Sequence, residues 1–389
     1  MPELLRAASV APMTPDQPPL LEDAAVVLEG DEILDLGSYS HMKRLHGGPV
    51  RDLGSVTLAP ATFNSHVHLE MCHMLGRTVS GQGFVPWVTS LVSQPLYDLD
   101  PARVRAELFR MEQRGVGFLA DISTRNAAKV GEILASSGLG FASFFEVIGN
   151  ETPADPASLL PQVRDVDDCG RGVMSLAGHA LYSTSPELIR AAKGLSLERG
   201  LPFSLHLAEH TDEDTILLYG KSPFLDLLMA RGYLTSYTAP ERRPVPLAQE
   251  LGILDEGTLL VHCVTVTDAD VKIIAASKAS VCLCPRSNEF IGVGEAPVRG
   301  LLDAGVNVCL GTDGLCSNAD LDPYGEVAWL LERHPGLDLV AALALITANP
   351  ARYFSRSIPR ARRLGSLAPG QMARFSIVPQ AVLDICSHR

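Results

Sequence analysis

The chain has 389 residues, 46% hydrophobic and 20% charged, a globular composition with ample apolar material for a large core. Lys and Arg number 32 against 45 Asp and Glu, a net charge of −13, which argues against nucleic acid or an anionic membrane surface as the main partner. The opening Met1-Pro2-Glu3-Leu4-Leu5-Arg6 lacks the order of a secretory signal, and no run approaches the ~18 apolar residues of a membrane span, so a cytoplasmic protein is expected.

From about Leu4 to Leu53, short β-prone runs alternate with turns, as in Ala24–Leu28 and Glu32–Gly37. The apolar run Val56–Ala61 then leads towards His66-Val67-His68. Strand side chains alternate faces, so these two imidazoles point the same way and can share one divalent cation. Seven further runs follow, at Phe118–Ile122, Phe141–Val147, Val173–Ala177, Phe203–Leu207, Leu259–Val261, Ser280–Leu283 and Val306–Leu310. Helical patterns separate them, such as Ala102–Arg114, Pro186–Arg199 and Ala269–Ser277. This alternation predicts an α/β chain whose residues 58–361 form a (β/α)8 TIM barrel. A dinucleotide-binding sheet is disfavoured, because no glycine-rich phosphate loop follows the first run. The proline-rich stretch Thr235–Pro246, with Arg242 and Arg243, reads as a surface loop bordering the site. Gly365–Gly370 and Ala373–Val378 repeat the turn-and-strand character of the N-terminus. Residues 1–57 and 362–389 are therefore expected to pack together as a small β-sandwich. The eight cysteines are scattered, several within apolar runs such as Val281-Cys282-Leu283-Cys284, as reduced buried thiols are.

Catalytic groups of such barrels sit at the C-terminal ends of the strands. Here the first run leads to His66 and His68, the fourth to His179, the fifth to His206 with Glu209 beyond, the sixth to His262, and the eighth to Asp313. A single histidine at a strand end is as often a hydrogen-bonded core residue. Polar groups at five such ends point to metal-dependent catalysis.

With His-x-His after strand one, His after strands five and six and Asp after strand eight, the chain resembles the amidohydrolase superfamily. The stretches His206-Leu207-Ala208-Glu209, Cys284-Pro285-Arg286-Ser287-Asn288 and Gly311-Thr312-Asp313-Gly314 resemble its branch of adenosine-type, S-adenosylhomocysteine and aminofutalosine deaminases and chlorohydrolases. The resemblance implies that His66, His68, His206 and Asp313 hold one divalent ion, Zn2+ first, with Fe2+ or Mn2+ accepting similar donors. It implies that His262 and Asp313 accept the proton of the attacking water, and that Glu209 shuttles a proton to the purine ring and the leaving amine. His179 corresponds to a contact with the substrate's sugar. Binuclear relatives use a carboxylated lysine at the fourth strand; Val173–Leu181 contains none, so one metal is expected.

His68-Leu69-Glu70-Met71, Gly81-Gln82-Gly83-Phe84-Val85-Pro86-Trp87 and Phe145–Gly149 resemble aminofutalosine deaminases in particular. Enzymes for S-adenosylhomocysteine and methylthioadenosine usually carry a ribose-binding glutamate after the Trp-containing helix, and Val88–Asp98 has none. The expected reaction is hydrolytic deamination of an aminopurine nucleoside, best 6-amino-6-deoxyfutalosine of the futalosine route to menaquinone, with water as co-substrate and ammonia released. Deamination of adenosine, S-adenosylhomocysteine, methylthioadenosine or guanine, and chlorohydrolase-type hydrolysis, stand as alternatives. A metal-stabilised binding protein is disfavoured because Glu209 and His262 are both intact. The benzoate of aminofutalosine calls for an arginine, with Arg286, Arg242 and Arg243 as candidates. Glu70, Glu146 and Ser317 are further expected substrate contacts, and a homodimer is an expectation of the family.

Overall fold

The computed structural model describes residues 2–387. Its N-terminal part supplies β1 (Glu3–Val10), β2 (Leu21–Glu29), β3 (Glu32–Ser38), β4 (Val50–Asp52) and β5 (Thr57–Pro60). The barrel strands are β6 (Thr62–Val67), β7 (Val116–Ser123), β8 (Gly140–Val147), β9 (Gly172–Gly178), β10 (Phe203–Leu207), β11 (Thr258–His262), β12 (Ser280–Leu283) and β13 (Val308–Leu310), and β14 (Phe375–Ile377) follows near the C-terminus.

The two chain ends meet in one branched sheet of order β14-β5-β1-β2-β3, with β4 also paired to β1. Alternation gives this sheet two apolar faces. Leu5, Ala7, Val26, Ile33 and Leu58 pack on one side with Leu367, while Leu4, Ala25 and Val27 on the other are covered by Met42 of the helix Tyr39–His46. Only part of the C-terminal segment joins the sheet: the last helix, Gln380–Ser387, packs instead on the barrel helix Pro323–Arg333.

The run Val56–Ala61 proves not to be the first barrel strand. Thr57–Pro60 pairs with β1 and β14 in the small sheet, so that sheet extends past residue 57, and the barrel begins with β6. Hydropathy hid β6 because Thr62, Asn64, Ser65 and His66 are polar yet fully buried in the barrel.

The eight barrel strands lie in sequence order, each parallel to the next. Between β13 and β6 the ring is completed chiefly by side chain and loop. Thr312 N donates to Asn64 Oδ1 at 3.1 Å, Asn64 Nδ2 donates to Thr312 Oγ1 at 2.7 Å, and Asp313 N donates to the His66 carbonyl at 3.0 Å. Phe63, Phe118 and Phe354 pack together in the core beneath the site.

The three expected helices occur as Pro101–Gln113, Pro186–Glu198 and Asp268–Ser277. Their starts follow from capping: Asp100 and Ser185 accept from free backbone N–H groups ahead of a proline, and Thr267 with Asp270 forms a capping box. The expected loop Thr235–Pro246 is shorter than anticipated, since Pro244 opens the helix Pro244–Glu250 as its first residue. Among the described residues no helix is long and apolar enough to cross a membrane, and the eight cysteines are free.

Candidate active site

Four imidazoles and a carboxylate converge at the C-terminal mouth of the barrel. His66 and His68 come from β6 and the residue after it, His206 from β10, His262 from the end of β11, and Asp313 from the loop after β13. His66 Nε2 lies 3.3 Å from His206 Nε2 and 3.7 Å from Asp313 Oδ1, and His68 Nε2 lies 3.5 Å from the same oxygen. Two overlapping triads, His66 with His206 and His262, and His66 with His68 and Asp313, each hold their donor atoms within 4.8 Å.

The backbone is shaped for this convergence. Ala208, His262 and Asp313 adopt positive φ angles of 53°, 74° and 58°. Such left-handed residues each carry strain of about 1–3 kcal/mol when they are not glycine, and they turn the chain sharply at three strand ends. Gly311 permits the close approach of β13 to β6: a Cβ there would lie 2.6 Å from the His66 Cβ and backbone nitrogen.

The remaining ring nitrogens fix three of the four imidazoles. His68 Nδ1 donates to the Ile122 carbonyl and His206 Nδ1 to the His179 carbonyl, each at 3.0 Å, while His262 Nδ1 lies 2.9 Å from Asn288 Oδ1. With its Nδ1 proton committed, Nε2 of His68 presents a lone pair to the centre, and Nε2 of His206 does so once that ring gives up its second proton. Asp313 is held in turn. Its Oδ2 accepts from Ser287 at 2.6 Å and Ser317 at 3.1 Å, and its Oδ1 accepts from Gly314 N at 2.7 Å.

Electrostatics favour a cation at this point. Burial pushes His66 down to about 3 and His262 to about 4, keeping both neutral. His206 is different: burial opposes its charge, but the carboxylates of Glu146, Glu209 and Asp313 outweigh that and raise it to about 9. Asp313, despite burial, is held well below the usual carboxylate range by His66 and His68. Neutral His66 and His68 beside a buried carboxylate suit a divalent cation, whose binding would displace the proton of His206, and the donors fit.

Glu209 follows β10 beyond the left-handed Ala208 and brings its Oε1 to 3.6 Å from His262 Nε2. Burial, reinforced by Asp313 and Glu146 against the pull of His206, raises its carboxyl to about 8. Its backbone N–H donates to Glu213 Oε2 at 3.0 Å, which fixes the turn.

Above these groups lies a cavity of about 1030 Å³, including the solvent at its mouth. His68, His179, His206, Glu209, His262 and Asp313 line its floor, while Phe84, Trp87, Val88, Leu91, Leu227 and Leu228 provide apolar walls. The helix Phe84–Val92 is tied over it by Trp87 Nε1, which donates to the Cys316 carbonyl at 3.1 Å, and by Phe84 stacked 3.5 Å from His210.

The other expected contacts divide. His179 lines the cavity, with its Nδ1 2.6 Å from Ser183 Oγ. Glu70 and Glu146 also line it; both oxygens of Glu70 are engaged, whereas Glu146 Oε1 has no hydrogen-bond partner among the described residues. Glu70 accepts from Thr124 N and Asn126 N at 2.7 and 3.0 Å. Glu146 accepts from Thr124 Oγ1 at 2.8 Å and lies 3.2 Å from His206 Nδ1. Ser317 lies outside the lining and supports Asp313. The three arginines expected to meet a carboxylate do not line the cavity either. Arg286 pairs with Asp320 at 2.8 Å and Glu326 at 3.6 Å, Arg243 with Asp214 and Asp270, and Arg242 with Glu250. The arginine that does line it is Arg231, unmarked in the sequence because it stands at an ordinary helix end. Ser287 and Asn288 are equally unmarked, although they adjoin Arg286 in the same motif.

A family model described as the amidohydrolase family matches residues 57–385. Among curated relatives, the aminodeoxyfutalosine deaminase of Deinococcus radiodurans is 27% identical over 326 residues, spanning 80% of this chain and 77% of that protein. The 5-methylthioadenosine/S-adenosylhomocysteine deaminase of Nitratidesulfovibrio vulgaris (strain DP4) is 26% identical over 338 residues, spanning 83% and 71%. The crystal structure of Helicobacter pylori aminofutalosine deaminase superimposes with a TM-score of 0.84 at 22% identity, covering 100% of this chain and 96% of that one, a likeness of fold.

Proposed function

Because this chain belongs to the amidohydrolase family, whose members here include named deaminases acting on carbon–nitrogen bonds, we propose that it deaminates an aminopurine nucleoside, with 6-amino-6-deoxyfutalosine its substrate. The observation that carries this reading is the placement of Glu209, a protonatable buried carboxyl 3.6 Å from His262, at the floor of a cavity beside the metal-ready donors. His66, His68, His206 and Asp313 would hold one divalent ion, Zn2+ by the nature of the donors. When bound, such an ion activates water for attack at neutral pH.

The protein's own groups then manage the protons. His262, neutral and fixed by Asn288, accepts a proton from the attacking water together with Asp313. Glu209 gives its proton to the ring nitrogen beside the carbon under attack, which makes that carbon electrophilic; it then takes the proton of the added hydroxyl and passes it to the departing amine, and the proton held by His262 and Asp313 returns to Glu209. Ammonia leaves and a keto-purine remains. His179 faces the sugar, and the apolar walls exclude water from the purine. This reading makes the protein a step of the futalosine route to menaquinone. Its free thiols accord with a reducing cytoplasm.

A second reading, deamination of methylthioadenosine or S-adenosylhomocysteine, is favoured by a relative of nearly equal identity. Ammonia release from a panel of aminopurine nucleosides, with metal-loaded protein, separates the two. Aminodeoxyfutalosine is expected to turn over fastest; much faster turnover of adenosine, methylthioadenosine or S-adenosylhomocysteine would overturn the substrate assignment.

A further inference from the structure

We propose that Arg231 is the specificity-determining residue of the cavity mouth, where it receives an anionic group carried on the apolar tail of the nucleoside. This rests on the deaminase reading above and names the feature of the substrate that the outer cavity selects. Among the described residues that line the cavity, Arg231 is the one Lys or Arg. It caps the helix Pro223–Ala230 and donates from Nη1 to the Val92 carbonyl at 2.9 Å, bridging to the end of the helix Phe84–Val92. That bond occupies only part of a guanidinium with five donors. Among the described residues no carboxylate lies within 4.0 Å of it, in contrast to Arg286, Arg242 and Arg243.

The surroundings explain what would reach it. The approach runs between Leu91, Val92, Leu96 and Leu227, which suit an apolar or aromatic linker and carry no charge themselves. At the rim, Tyr97 and Tyr233 share a hydrogen bond of 3.0 Å between their hydroxyls. A second exposed guanidinium, Arg125, stacks 4.2 Å over the Tyr97 ring. On a chain of net charge −13, this local positive rim stands against the global field. A planar carboxylate matches the free edge of the Arg231 fork. A neutral thioether tail leaves that edge without a partner, and an ammonium-bearing tail is repelled.

The test compares wild type with Arg231→Gln and Arg231→Lys on aminodeoxyfutalosine and on its benzoate methyl ester. Both kcat/KM, from ammonia release, and affinity, from calorimetry, are read. Wild type is expected to prefer the acid, and Arg231→Gln to reduce the acid-to-ester ratio about 10- to 100-fold, the worth of one charge-assisted pair. Arg231→Lys is expected to recover part of the ratio, and added salt to narrow it. A brace between two helices would lower both substrates together, so an unchanged ratio in Arg231→Gln overturns the proposal. A wild type that binds the ester as tightly as the acid overturns it as well. Absence of deamination from every nucleoside counts against the deaminase reading, while the two affinities still decide the role of Arg231.

Discussion

Glu209 and Ser287 illustrate how differently two side chains beside one metal-ready cluster are expected to respond to substitution. Glu209→Gln keeps the shape and removes the transferable proton, so deamination should fall about 10²- to 10⁴-fold while metal content, read by elemental analysis, stays that of wild type. Near-normal turnover would end the proton-shuttle assignment. Ser287→Ala acts through Asp313. It removes the 2.6 Å hydrogen bond to Oδ2, and metal affinity is expected to weaken about 10- to 100-fold in competition with a chelator. Ser287 and Asn288 stand in a motif that is legible in the sequence, yet the charge of Arg286 is what that motif displays. The structure turns the charge away to Asp320 and Glu326 and brings its quieter neighbours to the site. Charge is conspicuous in a sequence, whereas the direction in which a side chain leaves a short helix is not.

Most of the barrel was legible because buried parallel strands are apolar runs. The strand with the strongest chemistry, β6, was the exception, since it buries polar residues, of which Asn64 is paired with Thr312 across the seam. The pairing partner of Thr57–Pro60 was equally hidden, as an apolar run does not say which sheet will receive it. Asn64 is the residue that β6 contributes to ring closure. Asn64→Leu leaves the buried Thr312 N–H and hydroxyl without their partner, and a loss of about 1–3 kcal/mol of stability is expected in chemical denaturation. An undiminished denaturation midpoint would show that the β6–β13 closure does not depend on this side chain.

For the whole molecule, burial of ionisable groups sets a pH dependence that should appear in the metal-free protein. Glu209 and Glu213 are both raised to about 8, first by burial, from an ordinary value of 4.5. The folded state therefore binds more protons than the unfolded chain between these values, and stability is lost as pH rises towards 8. His262 and His179 are lowered to about 4 from 6.5, again by burial, and act oppositely, losing stability as pH falls below 6.5. Above 6.5 the two glutamates act without this opposition, and His206, raised to about 9 from 6.5, acts with them, so the Tm of chelator-treated protein should decline from about pH 6.5 to about pH 9. Glu213→Gln, which keeps an acceptor for the Glu209 N–H but removes a buried titrating group, should lessen that decline. A Tm that rises over the same interval would contradict the assignment.

The metal-ready donors straddle the seam where β13 meets β6, with His66 and His68 on one side and Asp313 on the other. An ion held there would fasten the last barrel strand to the first, across 248 positions of sequence between Asn64 and Thr312. A growing polypeptide cannot assemble this clasp until Asp313 of its 389 residues has been made. Metal capture would then mark the closing of the barrel, and slowed amide exchange in β6 and β13 would be its signature.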